Sequence, residues 1–328
     1  MKYNDIENNS TLMPNELKGV NIPNLAGKAG AFSNYTFWQY TNVEAICKIL
    51  GGSCFWVNNI SGMNDLREAE LHGAKKEDIF VQCFCNSDTE KIPMWYLYGG
   101  IVGRGASIGF TSGVMLNYIR SIKYVTELVE DPDKGFVPGA RLEIGKDFDL
   151  QFGWVFYADD KYVDKDDADA NRTIRVKYWS KFINVLNAEA FYKGNYFVKD
   201  YPWEYEKEFR LVFIKKTGRK IKKIKVDIPE EFRMRKDRKL KVRLAPEVKS
   251  DKDFEEYKKR VLDAGKEYQV TVLKSELKIN MDLLGRNKND INEHVRLHPE
   301  FLTESVRKAV CSRFIESPES DICEKRWM

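Results

Sequence analysis

Hydrophobic residues occur along this chain mostly in short runs, and several of these runs alternate with polar residues. This period-2 pattern is typical of strands that are covered on at least one face. Strands are predicted at Cys54–Val57, Ile79–Cys85, Ala106–Phe110, Trp154–Tyr157, Phe209–Ile214, Lys225–Ile228, Val242–Leu244 and Tyr268–Leu273. The run Phe209–Ile214 is the clearest of them.

Apolar residues with helical spacing occur in fewer places. Helices are predicted at Val43–Leu50, Ile92–Tyr98, Arg172–Phe191 and Asp253–Ala264. Asn42 is a suitable N-cap for the first helix, and Pro93 fits the first turn of the second. Helices and strands do not alternate regularly, so a doubly wound parallel sheet is not expected. The pattern as a whole predicts an α+β fold.

The distribution of prolines and polar residues divides the chain into three regions. Residues 1–30 are polar and are predicted to form an arm without a core of its own. Residues 31–284 are predicted to form one domain, with an irregular insertion near residues 121–152 that carries Pro132 and Pro138. Residues 285–328 are predicted to form a helical C-terminal appendage.

Composition excludes several classes of protein. Hydrophobic residues make up 43% of the chain and aromatic residues 13%, which is too rich for a disordered protein. No apolar run approaches the roughly 18–20 residues of a membrane span. The chain starts without a secretory signal and carries six scattered cysteines, which favours reduced thiols in the cytoplasm. Neither Cys83 and Cys85 nor His294 and His298 have partners at a metal-ligand spacing, so no metal site is predicted.

Positive charge is concentrated in the last third of the predicted domain. Between Lys215 and Arg243 there are 14 Lys or Arg residues against 4 Asp or Glu residues. Lysines at this density suit phosphate backbones, which predicts a nucleic-acid partner. A solvated hairpin is the alternative interpretation. The candidate nucleic-acid-binding residues are Lys220, Lys222, Lys223 and Lys225.

Six short motifs follow one another in the chain. They are Trp38-Gln-Tyr-Thr41, Asn64-Asp65 with Glu68 nearby, Gln82-Cys-Phe-Cys85, Met94-Trp95, Ser107-Ile-Gly-Phe110 and Trp203-Glu-Tyr-Glu-Lys-Glu-Phe-Arg-Leu-Val212. Their order resembles a widespread bacterial family described so far as a domain of unknown function. The resemblance covers residues 35–214 and extends more weakly to about residue 280. Gln39 and Leu66 depart from the family pattern, which usually has a basic residue or histidine and a proline at these positions.

The last motif places Glu206 and Glu208 two residues apart at the head of a predicted strand, so both should point to one face together with Arg210. This arrangement resembles the glutamate-x-glutamate element of ADP-ribosyltransferases, a fold with a mixed or antiparallel β core flanked by helices. The resemblance implies that NAD is the substrate. Cleavage of its nicotinamide–ribose bond builds positive charge on the ribose, which a fixed carboxylate stabilises. Glu208 is therefore the predicted catalytic residue, and Glu206 would orient or deprotonate the acceptor.

The same resemblance implies a set of residues that bind NAD. The set comprises Trp38, Gln39, Tyr40, Thr41, Trp56, Asn64, Asp65 and Arg210. The aromatic members could stack on nicotinamide, although aromatic residues in this pattern are also typical of a hydrophobic core. For the two glutamates the alternative is a solvated strand end that pairs with Lys207, Arg210 or Lys215.

The predicted function is that of an NAD-dependent ADP-ribosyltransferase that acts as a toxin or in defence against phage. Nucleic acid is the predicted acceptor, and an antitoxin or another protein is the predicted partner. Because the lysine stretch begins only seven residues after Glu208, it is expected to hold the acceptor beside the glutamates. Two other functions fit the same residues. One is a non-catalytic binding or sensor module. The other is a metal-dependent nuclease with Asp65, Glu68 and Glu208 as metal ligands.

Overall fold

The computed structural model describes residues 35–62, 73–86, 89–99, 104–159, 174–178, 181–185, 196–233, 239–246, 248 and 250–277. The predicted N-terminal arm and C-terminal appendage lie outside these residues, as do Asn64, Asp65 and Glu68. The strands are β1 Thr36–Asn42, β2 Cys54–Asn58, β3 Ile79–Asn86, β4 Gly105–Thr111, β5 Tyr124–Asp131, β6 Gly135–Glu143, β7 Phe148–Trp154, β8 Phe156–Asp159, β9 Ile174–Tyr178, β10 Lys181–Val185, β11 Val198–Asp200, β12 Glu208–Lys215, β13 Lys223–Asp227, β14 Leu240–Leu244 and β15 Val270–Leu273. The α-helices are α1 Val43–Gly52, α2 Ile92–Tyr98, α3 Ser112–Ser121 and α4 Asp251–Ala264.

Within the described part of the chain the strands form three sheets. The main sheet has the order β15-β14-β4-β1-β3-β12-β7. Its neighbours pair antiparallel except β14 and β15, which are parallel. The second sheet has the order β2-β13-β5-β6, and the third has the order β10-β9-β8-β11. This mixture of mostly antiparallel sheets with few helices confirms the α+β prediction in outline.

The hydrophobic core lies between the main sheet and the second sheet. Phe37, Phe110 and Phe209 project from one face of the main sheet, called here the core face, and are fully buried. Phe55 of the second sheet packs against Phe110 with ring centroids 5.9 Å apart, which joins the two sheets. The buried sides of α1 and α3 belong to the same core.

The opposite face of the main sheet carries polar and aromatic residues. Because side chains alternate along a strand and cross-strand partners share a face, the strand register assigns the members of this face. We call it the polar face, and it carries Trp38, Tyr40, Cys83, Cys85, Ser107, Glu208, Arg210 and Arg243.

The predicted helix Arg172–Phe191 is wrong for its described residues. Ile174–Tyr178 and Lys181–Val185 are strands that pair antiparallel as β9 and β10. The sequence of this region places Ile174, Val176 and Tyr178 at every second position, and β-branched and aromatic residues favour strands. Sheet pairing therefore prevails over the helical spacing that the same apolar residues also allow.

The predicted irregular insertion near residues 121–152 is also wrong, since it consists mainly of strands β5, β6 and β7. Pro138 occurs where proline is best tolerated in a sheet, because β6 is at the edge of the second sheet and has a neighbouring strand on one side only. Gly135 has φ +73°, which suits the turn between β5 and β6. The predicted strand Trp154–Tyr157 is divided, because the chain leaves the main sheet after Trp154 and joins the third sheet at Phe156.

None of the helices in the described ranges is long and apolar enough to cross a membrane.

Candidate active site

One row across the main sheet joins the motif predicted to bind NAD with the motif predicted to cleave it. Trp38 of β1 lies opposite Cys85 of β3, and Cys85 lies opposite Glu208 of β12. The indole and the carboxylate therefore project from the same face. Two interstrand spacings, about 10 Å in all, separate their backbones.

A left-handed residue sets the direction of both glutamates. Glu206 ends a 3₁₀ helix, Tyr201–Glu206, and Glu208 begins β12. Lys207 between them has φ 43° and ψ 57°, a conformation that costs a residue with a Cβ atom about 1–2 kcal/mol. The expectation that the two carboxylates follow each other on one strand is therefore wrong. The turn at Lys207, and not strand alternation, directs both of them toward the same lysine.

The two carboxylates belong to a group of buried charges. Lys199 Nζ, from β11, lies 2.5 Å from Glu206 Oε2 and 3.2 Å from Glu208 Oε2. Arg210 Nε and Nη2 donate to Glu208 Oε1 and Oε2 at 2.6 and 3.0 Å. The Tyr98 hydroxyl donates to Glu206 Oε1 at 2.6 Å. These five residues are called here the glutamate network.

Burial contradicts the alternative of a solvated strand end. Glu206 and Glu208 are each 3% exposed, and Arg210 is fully buried. Two positive charges, on Lys199 and Arg210, balance the two negative charges. One part of this alternative agrees with the structure, because Glu208 does pair with Arg210.

The surroundings shift the two carboxyl groups in opposite directions. Burial acts to raise the pKa of Glu208, but Arg210 and Lys199, with hydrogen bonds from Arg210 and Cys83, outweigh it and hold this pKa well below its usual range. Burial raises the pKa of Glu206, and the charge of Glu208 adds to the rise, against the opposing effects of Lys199 and the Tyr98 hydrogen bond. Glu208 is therefore the fixed anion of the pair, and Glu206 is the member that takes up a proton more readily.

Further hydrogen bonds hold the head of β12 in place. The Tyr157 hydroxyl accepts from the backbone N–H of Glu208 at 2.7 Å. Arg210 Nη1 donates to the backbone carbonyl of Tyr196 at 2.9 Å. The carboxylate of Glu208 is thus oriented before any ligand arrives, which is the property that electrostatic catalysis requires.

A second cationic group lies on the polar face next to Trp38. The guanidinium carbon of Arg243 is 4.3 Å from the centroid of the Trp38 ring, and its Nε is 3.7 Å from Glu90 Oε1. Within the described part of the chain, Arg243 Nε, Arg243 Nη1 and the Oγ of Ser107 opposite it are buried without a hydrogen-bond partner. Buried polar groups without partners are costly, so these atoms are suited to bind an acceptor-rich ligand.

The aromatic residues of β1 are closely packed. The Trp38 ring lies against Gly109, where an added Cβ would come within 2.7 Å of the ring. Tyr40 meets Trp95 of α2 edge to face, with ring centroids 4.6 Å apart. Trp38 is 2% exposed and Tyr40 is 8% exposed. A nicotinamide ring can therefore stack on either residue only after the cover formed by α2 has opened.

Gln39 and Thr41 project from the core face, because they alternate with Trp38 and Tyr40 along β1. Gln39 Oε1 accepts from Gln82 Nε2 at 3.2 Å, and Gln82 Oε1 accepts from the Tyr118 hydroxyl at 3.1 Å. The structure does not bring Gln39 or Thr41 to the glutamate network. Of the residues predicted to bind NAD, it brings Trp38, Tyr40 and Arg210 to the face that carries Glu208.

Trp56 and the predicted nucleic-acid-binding lysines lie in and beside the second sheet. Trp56 is on β2, Lys223 and Lys225 are on β13, and Lys220 and Lys222 precede β13. The outward-facing members of this sheet are separated from Glu208 by the whole core. This corrects the expectation that the lysine stretch holds an acceptor beside the glutamates.

Three residues of the site were not predicted from the sequence. Lys199 lies in a short strand with no clear pattern, so nothing in the sequence marked it. Tyr98 was assigned to a helix but not to a function. Arg243 could have been predicted. It lies between two apolar residues of a predicted strand, so its side chain must project from the face opposite to theirs.

The charges around Glu208 argue against the nuclease hypothesis. Lys199 and Arg210 already bind both oxygens of Glu208, and their positive charges oppose a metal ion at the same carboxylate. Asp65 and Glu68, the other two ligands of this hypothesis, lie outside the described residues.

No family model matches the chain, and no curated protein matches it. A solved structure, Thermus sp. 2.9 DarT in complex with carba-NAD+, aligns with 73% of this chain and 94% of its own, at 10% sequence identity and a TM-score of 0.29. A TM-score this low does not establish a common fold. The family resemblance therefore stays a prediction from the motifs.

Proposed function

We propose that this protein binds NAD on the polar face of the main sheet and transfers its ADP-ribose, with Glu208 as the catalytic carboxylate. The observation that carries the proposal is the position of Glu208. It is a buried anion, fixed by Arg210 and Lys199, in one row with Trp38 and on the same face as Arg243. Such an anion matches the positive charge that develops on a ribose when its bond to nicotinamide breaks.

The opposite pKa shifts of the two glutamates support a division of roles. Glu208 keeps its charge and stabilises the ribose cation. Glu206, whose pKa is raised, is suited to take the proton of the acceptor as the new bond forms. Lys199 contacts both carboxylates and couples their charges.

Arg243 is suited to the diphosphate of NAD. Arg243 is on β14, four strands from Glu208 in the main sheet, but its guanidinium reaches over the ring of Trp38, which is two strands from Glu208. Two of its nitrogens have no hydrogen-bond partner among the described residues. The diphosphate is attached to the same ribose whose other end carries nicotinamide. One ligand could therefore contact Glu208 and Arg243 together.

Binding requires the covering residues to move. Glu208 is 3% exposed, and Tyr98 of α2 is bonded to Glu206 while Trp95 of α2 packs on Tyr40. A ribose can reach Glu208 only when these contacts open, as in enzymes that close over their substrates.

The proposed biological setting is a toxin or an effector of defence against phage, with nucleic acid as the acceptor and an antitoxin or another protein as the partner. It follows from the motif resemblance. A non-catalytic binding or sensor module is the second candidate, and one observation favours it. The charges of the glutamate network balance, and each carboxylate already has its partners, as in a purely structural group.

Calorimetric titration with NAD tests the proposed ligand. Arg243→Gln should weaken NAD binding about tenfold or more, because a hydrogen-bonded charge contributes roughly 1.5–3 kcal/mol. Lys241→Gln is the matched control, since Lys241 is two residues away on the same face of β14 and donates to Thr36. Absence of heat at millimolar NAD for the parent protein would reject NAD as the ligand. Equal losses in both variants would reject the assigned contact.

A further inference from the structure

Aromatic rings are exposed on the outer face of the second sheet, on the far side of the core from Glu208. Trp56 is 51% exposed and Tyr124 is 42% exposed, although both lie in strands. Phe136 stands next to Trp56, with ring centroids 6.2 Å apart. Exposed aromatic residues grouped on one sheet are typical of a surface that binds something.

Cations are interleaved with these rings. The guanidinium carbon of Arg141 is 4.1 Å from the centroid of the Tyr124 ring, and Lys223 Nζ is 4.3 Å from the centroid of the Phe136 ring. Such contacts hold a flexible cation over a ring. The side chains of Arg141 and Lys223 are therefore ordered next to the aromatic surface.

The strand register places these groups in one row. Trp56 lies opposite Lys225, Lys225 opposite Thr126, and Thr126 opposite Arg141. The row crosses all four strands of the sheet, a distance of about 14 Å. We call this surface the outer sheet face, defined by Trp56, Tyr124, Phe136, Arg141, Lys223 and Lys225.

We propose that the outer sheet face binds single-stranded nucleic acid. Bases would stack on the exposed rings of Trp56 and Tyr124, and phosphates would contact the cations between them. Proteins that bind single strands without sequence preference combine these two kinds of contact. The lysine stretch of the sequence has no aromatic residues of its own. The fold supplies them from β2, β5 and β6. The proposal is independent of the NAD chemistry proposed for the polar face.

The charges of the surface limit the number of phosphate contacts. Lys225 pairs with Asp227 at 3.0 Å, and the exposed Lys222 pairs with Glu130. Binding should therefore depend more on stacking than on charge. With about three phosphates contacted, the affinity for single strands should change with salt at a log–log slope of about −2. A duplex hides the faces of its bases and should bind more weakly.

Fluorescence anisotropy with labelled single strands of about 12 nucleotides (oligo-dT, oligo-dA and oligo-U) and a duplex of equal length tests the proposal. Trp56→Ala should weaken single-strand binding about 5- to 100-fold, because each stacked base contributes in this range. Trp56→Phe should retain most of the affinity. Arg141→Gln combined with Lys223→Gln should reduce the magnitude of the salt slope by about 1.4.

Two variants on α4 provide matched controls for these changes. Leu262→Ala removes a hydrophobic side chain that is 39% exposed and is the control for Trp56→Ala. Lys252→Gln removes a surface charge and is the control for the Arg141 and Lys223 variants. Neither should alter the affinity. Equal affinity of the parent and Trp56→Ala for single strands would overturn the proposal. So would tighter binding of the duplex, or no binding of any oligonucleotide, which would leave a protein as the partner of this surface. Melting curves would show that the variants are folded.

Discussion

Glu206 and Glu208 have the same side chain and share one lysine, yet their surroundings move their pKa values in opposite directions. For Glu208, whose pKa is lowered on folding, the contribution to stability is present above the unfolded pKa and is lost as the pH falls through the folded value. For Glu206, whose pKa is raised, the contribution is present below the unfolded pKa and is lost as the pH rises through the folded value. The two contributions therefore oppose each other as the pH changes.

The Tyr98 hydroxyl offers a test of the role of Glu206. Its hydrogen bond favours the charged carboxylate, so Tyr98→Phe should raise the pKa of Glu206 further. If Glu206 must lose its proton to activate the acceptor, the acid limb of kcat/KM for ADP-ribose transfer should move to higher pH in this variant, because kcat/KM reports the free enzyme, in which the Tyr98 contact is still closed. Rates measured across the pH range would show the shift.

Tyr205→Phe is the control for this prediction. The Tyr205 hydroxyl is buried nearby without a hydrogen-bond partner among the described residues. Its removal should leave the acid limb in place. An unmoved limb in Tyr98→Phe, or the same shift in both variants, would contradict the role of Glu206.

At the scale of elements, the sequence predicted best where one face of a strand is apolar. The runs at β2, β3, β4 and β12 were recognised because they contain buried hydrophobic side chains at short spacing. The strands β5 and β6 were missed because exposed and charged residues interrupt their pattern, and a bulge near Thr126 and Leu128 shifts the register. These segments become strands because they pair with other strands, and β13, one partner of β5, is distant in the sequence. A local sequence pattern does not reveal such a partner.

The packing of β4 under Trp38 leads to a prediction about Gly109. A Cβ atom there would come within 2.7 Å of the Trp38 ring and 2.9 Å of the Thr36 methyl group. Gly109→Ala should therefore displace the indole and lower the free energy of unfolding by about 1–3 kcal/mol. Urea denaturation measures the change, and NAD binding should weaken with it.

Gly113→Ala is the matched substitution in the adjacent helix α3. An added Cβ at Gly113 would meet nothing within 4 Å, so this variant should be neutral or more stable by up to about 1 kcal/mol. Equal stability of the two variants would show that Trp38 does not depend on the space at Gly109.

Across the whole molecule, residues that are close along the chain are not close in the structure. Lys215 follows Glu208 by seven residues, but β12 runs as an extended strand between them and carries the chain roughly 25 Å along the main sheet. The chain then enters the second sheet, whose outer face is opposite the polar face. The sequence suggested the two glutamates and two cations of the outer sheet face, Lys223 and Lys225, but it did not suggest Tyr124, Phe136 or Arg141. The separation of the glutamates from this face depends on sheet packing, which the local pattern does not contain.

The glutamate network also determines which variant can test catalysis. Glu208→Gln would leave Lys199 and Arg210 buried with one negative charge fewer, and breaking such a buried pair costs about 3–5 kcal/mol. A loss of activity in this variant would therefore be difficult to separate from unfolding. Glu208→Asp keeps the charge and withdraws the carboxylate by one methylene group.

Release of nicotinamide from NAD, compared between the parent protein and a folded Glu208→Asp variant, is the most direct measurement of the proposed activity. A displacement of about 1 Å at a reacting group can lower a rate 100-fold. The parent should therefore release nicotinamide, and Glu208→Asp should release it about 100-fold more slowly while its melting temperature stays near that of the parent. Equal rates in the two proteins would show that Glu208 is not the catalytic carboxylate, and binding of NAD without release by the parent would identify the protein as a non-catalytic module.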